Sequence, residues 1–136
     1  MGGNGGRMGG GYGNMTVPVP RHGPQLGPPG RWWDDKRTVR ALGLRSDQQR
    51  KMDDIFNANK GQLENLLGNL QREEQRLSSL NREDLQDENK VFAAIDRVTV
   101  ARAELEKASA HVLLLIRKEM DGGQLAALDR ETANQQ

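Results

Sequence analysis

Between Met52 and Leu80 the apolar residues return at steps of three and four, through Ile55, Phe56, Leu63, Leu66, Leu67, Leu70 and Leu77. Such a period puts them on one side of an α-helix, because positions three and four apart share a face only when the chain turns every 3.6 residues. The spacing predicts a helix over residues 47–79, roughly 50 Å long at about 1.5 Å per residue. A second run of the same kind, Val91, Phe92, Ile95, Val98, Leu105, Val112, Leu113, Ile116 and Met120, predicts another over residues 85–120. The stretch between them, "SSLNREDLQDEN", breaks the period with serine, asparagine and aspartate. Two long helices joined by a short polar connection fold back as an antiparallel hairpin. No stretch shows the two-residue alternation of a strand.

Shorter helices flank the hairpin. In "RWWDDKRTVRAL", Asp34 is placed to accept the free N–H groups of a first turn, with Val39 and Leu42 on the inner side. Gly43 suits the left-handed position after a helix end, and Leu44 can fold back on the preceding turn. Ser46 followed by Gln49 has the spacing of a capping box, with Asp47 in the first turn favoured by the helix dipole. At the other end, Asp121 with Gly122 and Gly123 repeats the stop and restart before a short fourth helix, "QLAALDRETA". The expected fold is all-α, an elongated antiparallel hairpin with short flanking helices, four in total. Its stripes need more cover than one hairpin gives, so a second copy in a two-fold dimer is expected.

Residues 1–30 hold all five prolines and most of the glycines. They bury too little apolar surface to offset the entropy of ordering and are expected to form a disordered tail, leaving residues 31–136 as the helical domain. Lys and Arg number 20 against 19 acidic residues, a net charge of +1, which supplies no field for a phosphate backbone and disfavours nucleic acid as a partner. The longest apolar run, "VLLLI" at residues 112–116, falls far short of the ~20 residues a membrane span needs, and no stable membrane insertion is expected. Cysteine is absent, which excludes disulfides and thiolate metal sites. Glycine stands where the apolar core of an export signal would lie, so the chain reads as cytosolic or as one whose signal has been trimmed.

Candidate chemistry is sparse. The two histidines, His22 in the tail and His111 in the third helix, lack clustered partners; Glu104, seven residues before His111, can share its helix face. No nucleophile, base and orienting group stand at a recognisable spacing, so neither catalysis nor a cofactor is expected. Trp32 and Trp33, beside Arg31, Lys36 and Arg37, read as a binding platform or as a pin holding the first helix to the bundle, and burial of large aromatics favours the pin. Gly61 and Gly68 lie on nearly one face of the second helix, where they permit a close approach, a bend, or nothing at all. "VLLLI" covers more than one face and reads as core rather than as an exposed patch.

With the hinge, the rod and the second hinge in place, the chain resembles the Spy/CpxP family of exported helical proteins, which includes zinc-associated and heavy-metal sensor relatives. The family hallmark is a twice-occurring L-T-x-x-Q motif at helix starts. The first copy here is Leu44-Arg45-Ser46-Asp47-Gln48, with arginine in the threonine position; the second is Met120-Asp121-Gly122-Gly123-Gln124, with Met for Leu and Asp for Thr. The context "RWWDDKRTVRALGLRSDQQRKMDDIF" is similar to family members in order and spacing, and the resemblance spans residues 31 to about 131.

The resemblance implies a thin, curved, cradle-like dimer in the periplasm. It implies an ATP-independent chaperone for unfolded or misfolded client proteins, an envelope-stress adaptor with a sensor-kinase or regulatory partner, or a metal-responsive regulator of heavy-metal resistance. For the first role, Arg45, Arg50, Lys51, Arg72 and Arg76 are candidates to attract acidic clients, and Ile55, Phe56, Leu63 and Leu67 to hold their apolar parts. A helical module whose tail recruits a partner is the remaining reading.

Overall fold

The computed structural model describes residues 25–134. His22 and the first 24 residues of the expected tail lie outside them. Among the described residues there are four α-helices and no strand: α1 (Lys36–Leu42), α2 (Ser46–Ser78), α3 (Glu88–Arg117) and α4 (Gly122–Asn134). Single 3₁₀ turns at Trp32–Asp34 and Asp84–Gln86 precede α1 and α3. The long helices pack along each other as the expected hairpin, while α1 touches both the first 3₁₀ turn and α4.

The seam of the hairpin is more regular than the large apolar residues suggest. On α2 the inward positions are Met52, Phe56, Leu63, Leu66, Leu70 and Leu77; on α3 they are Ala94, Val98, Ala101, Leu105, Ala108 and Val112. The α3 positions advance by alternating four and three residues, the spacing of a coiled-coil seam. Small and large residues alternate along it, so each alanine leaves room for a leucine or phenylalanine of the facing helix. Phe92 and Ile95, expected on the inner face, are 53% and 43% exposed, because Ala94 and Val98 take the seam and turn them outward.

The core thickens towards one end, the head. There Trp33, Phe56, Met52, Val112, Ile116 and Leu128 are all but fully enclosed in one continuous cluster. The Trp32 and Trp33 rings meet edge to face at 5.5 Å, and Trp33 tilts against Phe56 at 5.9 Å. Asp53 Oδ1 accepts from Trp33 Nε1 and from the Arg31 guanidinium, both at 2.7 Å, and that guanidinium lies 5.0 Å over the Phe56 ring. The tryptophans therefore pin the start of the domain to α2. "VLLLI" is core at Val112, Leu113 and Ile116, while Leu114 faces solvent.

Several local expectations shift by one residue or more. Asp35 rather than Asp34 caps α1: its carboxylate accepts from the Thr38 hydroxyl at 2.8 Å and the Thr38 amide at 3.0 Å, and these bonds hold its pKa below the ordinary aspartate value. Asp34 turns instead to Arg31. The expected tail also ends earlier than Gly30, since Leu26, Gly27 and Pro28 are buried and Arg117 Nη1 donates to the Leu26 carbonyl at 3.2 Å. Gly27 allows this: a Cβ there would stand 2.8 Å from Trp32 Nε1.

Gly43 ends α1 at φ 69°, with its amide and that of Leu44 both reaching the Val39 carbonyl. A Cβ at Gly61 meets no atom within 4 Å, and one at Gly68 meets only the Arg72 guanidinium, so neither glycine serves a close helix contact within the chain. Gly43→Ala is expected to destabilise the fold by about 1 kcal/mol through left-handed strain, and Gly61→Ala to stabilise it by up to about 1 kcal/mol through helix propensity. Thermal or urea unfolding should show these shifts in opposite directions.

Candidate functional site

The two motif copies meet in space. Gln48 sits in the first turn of α2 and Gln124 in the first turn of α4, and their side-chain amides bind each other reciprocally: Gln48 Nε2 donates to Gln124 Oε1 at 2.8 Å, and Gln124 Nε2 to Gln48 Oε1 at 3.0 Å. Each also serves the backbone of both turns. Gln48 Oε1 accepts from the Arg45 amide at 2.9 Å, and Gln124 Oε1 from the Asp121 amide at 3.1 Å. Gln48 Nε2 donates to the Glu119 carbonyl at 2.9 Å, and Gln124 Nε2 to the Gly43 carbonyl at 3.0 Å.

The arrangement has an internal two-fold pattern. Each oxygen accepts from the backbone amide three residues before its own glutamine, and each nitrogen donates to the carbonyl five residues before the other. Both amides thereby fill two donor and two acceptor positions, the whole capacity of the group. Leu44 and Met120, the first residues of the two copies, are buried beside the pair. Asp121 caps α4 by accepting from the Gln124 amide at 2.8 Å.

This clasp corrects the capping expected for α2. Helix α2 begins at Ser46, which is exposed, and Arg45 is the capping position. The reach back to the cap comes from Gln48, one residue earlier than Gln49, because only Gln48 faces the second motif. Gln49 turns the other way and donates to the Trp33 carbonyl at 2.9 Å. Arg45 bonds Asp47 at 3.1 Å, which lowers the Asp47 pKa.

The residues expected to hold clients do not form one surface. Phe56 and Leu63 are core, 1% and 0% exposed, because they occupy the α2 seam; Ile55 and Leu67 flank it half-buried. Arg45, Arg50, Lys51, Arg72 and Arg76 are exposed, but several are engaged: Lys51 with Glu119 at 3.9 Å, Arg76 with Glu73 at 3.5 Å, and Arg72 with the Asn69 side chain. The large apolar side chains left in solvent are elsewhere: Leu85 before α3, then Phe92, Ile95, Val100 and Leu114 on it. Beside them a groove between the long helices has Leu66, Val100 and Ala101 among its lining, with Glu73, Asp96, Arg97 and Glu104. Their composition was legible, but their outward direction required knowing that alanines hold the seam.

His111 is exposed, and Glu104 is drawn to Lys107 at 3.4 Å. Among the described residues no three His, Cys, Asp or Glu side chains gather as metal ligands, so the donor set does not fit a metal centre there. No helix among them is long and apolar enough to cross a membrane.

The paired glutamines support a specific expectation. Gln48→Ala or Gln124→Ala alone strands the partner's buried amide and should destabilise the fold by about 1–3 kcal/mol. The double variant should lose clearly less than the sum, which a double-mutant cycle of urea unfolding measures directly.

No curated protein and no solved structure shows a significant match to this chain. A family model described as heavy-metal resistance matches residues 6–127, nearly the whole chain. With its paired helix starts and long hairpin, the chain belongs to the heavy-metal resistance family.

Proposed function

We propose that the protein is a periplasmic, ATP-independent holder of unfolded client proteins, or an envelope-stress adaptor working through the same surface, with no catalytic chemistry. The observation that carries this reading is the row of large apolar side chains exposed along α3. Exposed apolar groups set among charges bind unfolding chains weakly and broadly, without a shaped pocket. The resemblance of the motif pair and its context to the Spy/CpxP family supports both the role and the location. The dimer we favour packs a second copy along the head-side half of α3, over Val100 and Leu114, and leaves the far end of the hairpin open.

The family's description favours a second reading, a metal-responsive regulator. It predicts that zinc, nickel or copper raises the unfolding temperature of the full chain, since a ligand bound only by the native state stabilises it, by about 2.7 kcal/mol at a hundred times its dissociation constant. His111→Ala is the control, and the absence of any metal-dependent shift would end that reading.

For the holding role, equimolar or smaller amounts of the protein should suppress aggregation of a chemically unfolded client without ATP, followed by light scattering. Phe92→Ser with Ile95→Ser should abolish suppression and leave stability within about 0.5 kcal/mol, as for exposed positions generally. Failure of the unmodified chain to suppress aggregation at several-fold excess would remove the proposal.

A further inference from the structure

Three of the five large apolar side chains in solvent, Leu85, Phe92 and Ile95, fall within residues 83–96 at the far end of the hairpin. The same short window carries Glu83, Asp84, Asp87, Glu88 and Asp96, with Lys90 inside it and Arg82 and Arg97 at its two borders, five carboxylates against three cations. Asp84 already engages that lysine at 3.5 Å, and Arg97, next along the helix, is drawn to Glu73 at 3.3 Å. Glu83, Glu88 and Asp96 form no ion pair among the described residues, while Asp87 caps α3 through the Asn89 amide. Glu88 and Asp96 stand four residues before and after Phe92, so both are its neighbours on one helix face.

We infer that the far end of the hairpin selects cationic amphipathic segments, chain stretches in which Lys or Arg flanks aliphatic or aromatic side chains. The inference rests on the holding role and names its client class. Phe92, Ile95 and Leu85 supply apolar contact that is indifferent to the sequence presented. The unpaired carboxylates around them attract a cationic flank and repel an acidic one, and specificity is the difference between those two free energies. This departs from the expectation of acidic clients: of the cations behind it, Arg45, Arg50 and Lys51 lie at the head, while Arg72 and Arg76, in the last turns of α2 near this end, are engaged by Asn69 and Glu73. Attraction between exposed charges is screened beyond about 8 Å at physiological salt, so the preference weakens as salt rises while the apolar contact persists.

The test uses the full chain and two unstructured fluorescent peptides with identical apolar residues, one carrying lysine and arginine, the other aspartate and glutamate. Anisotropy titration at low salt should show the cationic peptide binding about tenfold more tightly, the scale expected of several exposed ion pairs. Raising the salt should narrow the gap, and Glu83→Gln, Glu88→Gln and Asp96→Asn together, which leave the Asp87 cap intact, should nearly close it. Equal binding of both peptides, or a preference that survives neutralisation, overturns the charge selection and leaves the holding role standing. Binding of neither peptide, with no suppression of aggregation, overturns both. If Phe92→Ser with Ile95→Ser converts a dimer to a monomer in sedimentation, the surface belongs to a second copy and the inference is overturned.

Discussion

Two glutamine side chains, 76 residues apart in the chain, hold the head of this molecule closed. Each amide binds the other and also the backbone on both sides, so the N-termini of α2 and α4 and the turns leading into them become one unit. The choice of amide follows from the burial. Gln48 and Gln124 are 3% and 7% exposed, and a charged pair there would lose much of its hydration. An amide carries both donor and acceptor, so two identical groups satisfy each other without any charge to bury. Because neither titrates, the clasp is also insensitive to pH and little affected by salt.

Closing the head concentrates the enclosed core there and leaves the rest of the hairpin thin. Around Trp33 and Phe56 the first 3₁₀ turn and α2 are stitched by Arg31, Asp53 and the Trp33–Phe56 contact, while Arg117 ties the Leu26 carbonyl and Asp129 to the end of α3. Further out, burial falls to single stripes on α2 and α3, and the ion pairs across the hairpin are surface pairs such as Arg102 with Glu74 and Arg97 with Glu73. Such pairs contribute at most about 1 kcal/mol each. Local stability therefore falls from head to far end, and a thin, easily opened end with apolar side chains in solvent suits a surface that accommodates varied chains.

The helices, their order and the turns between them were legible because the three-and-four-residue period and the Gly43 stop are properties of the chain itself. What was hidden depended on partners. Phe92 and Ile95 read as core because they are large, yet Ala94, Ala101 and Ala108 won the seam: a hairpin whose helices approach closely has room for alanine opposite leucine. By spacing the capping box falls on Ser46 and Gln49, because spacing alone cannot show that Gln48 faces Gln124. Leu26 reads as tail because the prolines and glycines around it suggest disorder, while the hydrogen bond that fixes it comes from Arg117, far along the chain. The motif pair is visible in the sequence only by resemblance, and its role in joining the two helix starts appears only in three dimensions.

Net charge hid a second feature for a related reason. A total of +1 describes a nearly neutral chain, but the charges are sorted along the rod: residues 31–60 hold eight lysines and arginines against five aspartates, whereas residues 82–97 hold five carboxylates against Arg82, Lys90 and Arg97. At about 1.5 Å per helical residue the two regions stand tens of ångströms apart, several screening lengths at physiological salt, so each presents its own local field. Near the head, Arg31, Arg45 and Lys51 are matched by carboxylates of the same chain, which shortens their reach. At the far end the carboxylates beside Phe92 have no such match among the described residues. An approaching chain therefore meets apolar surface and unbalanced negative charge in the same place, and the average over the whole sequence conceals that coincidence.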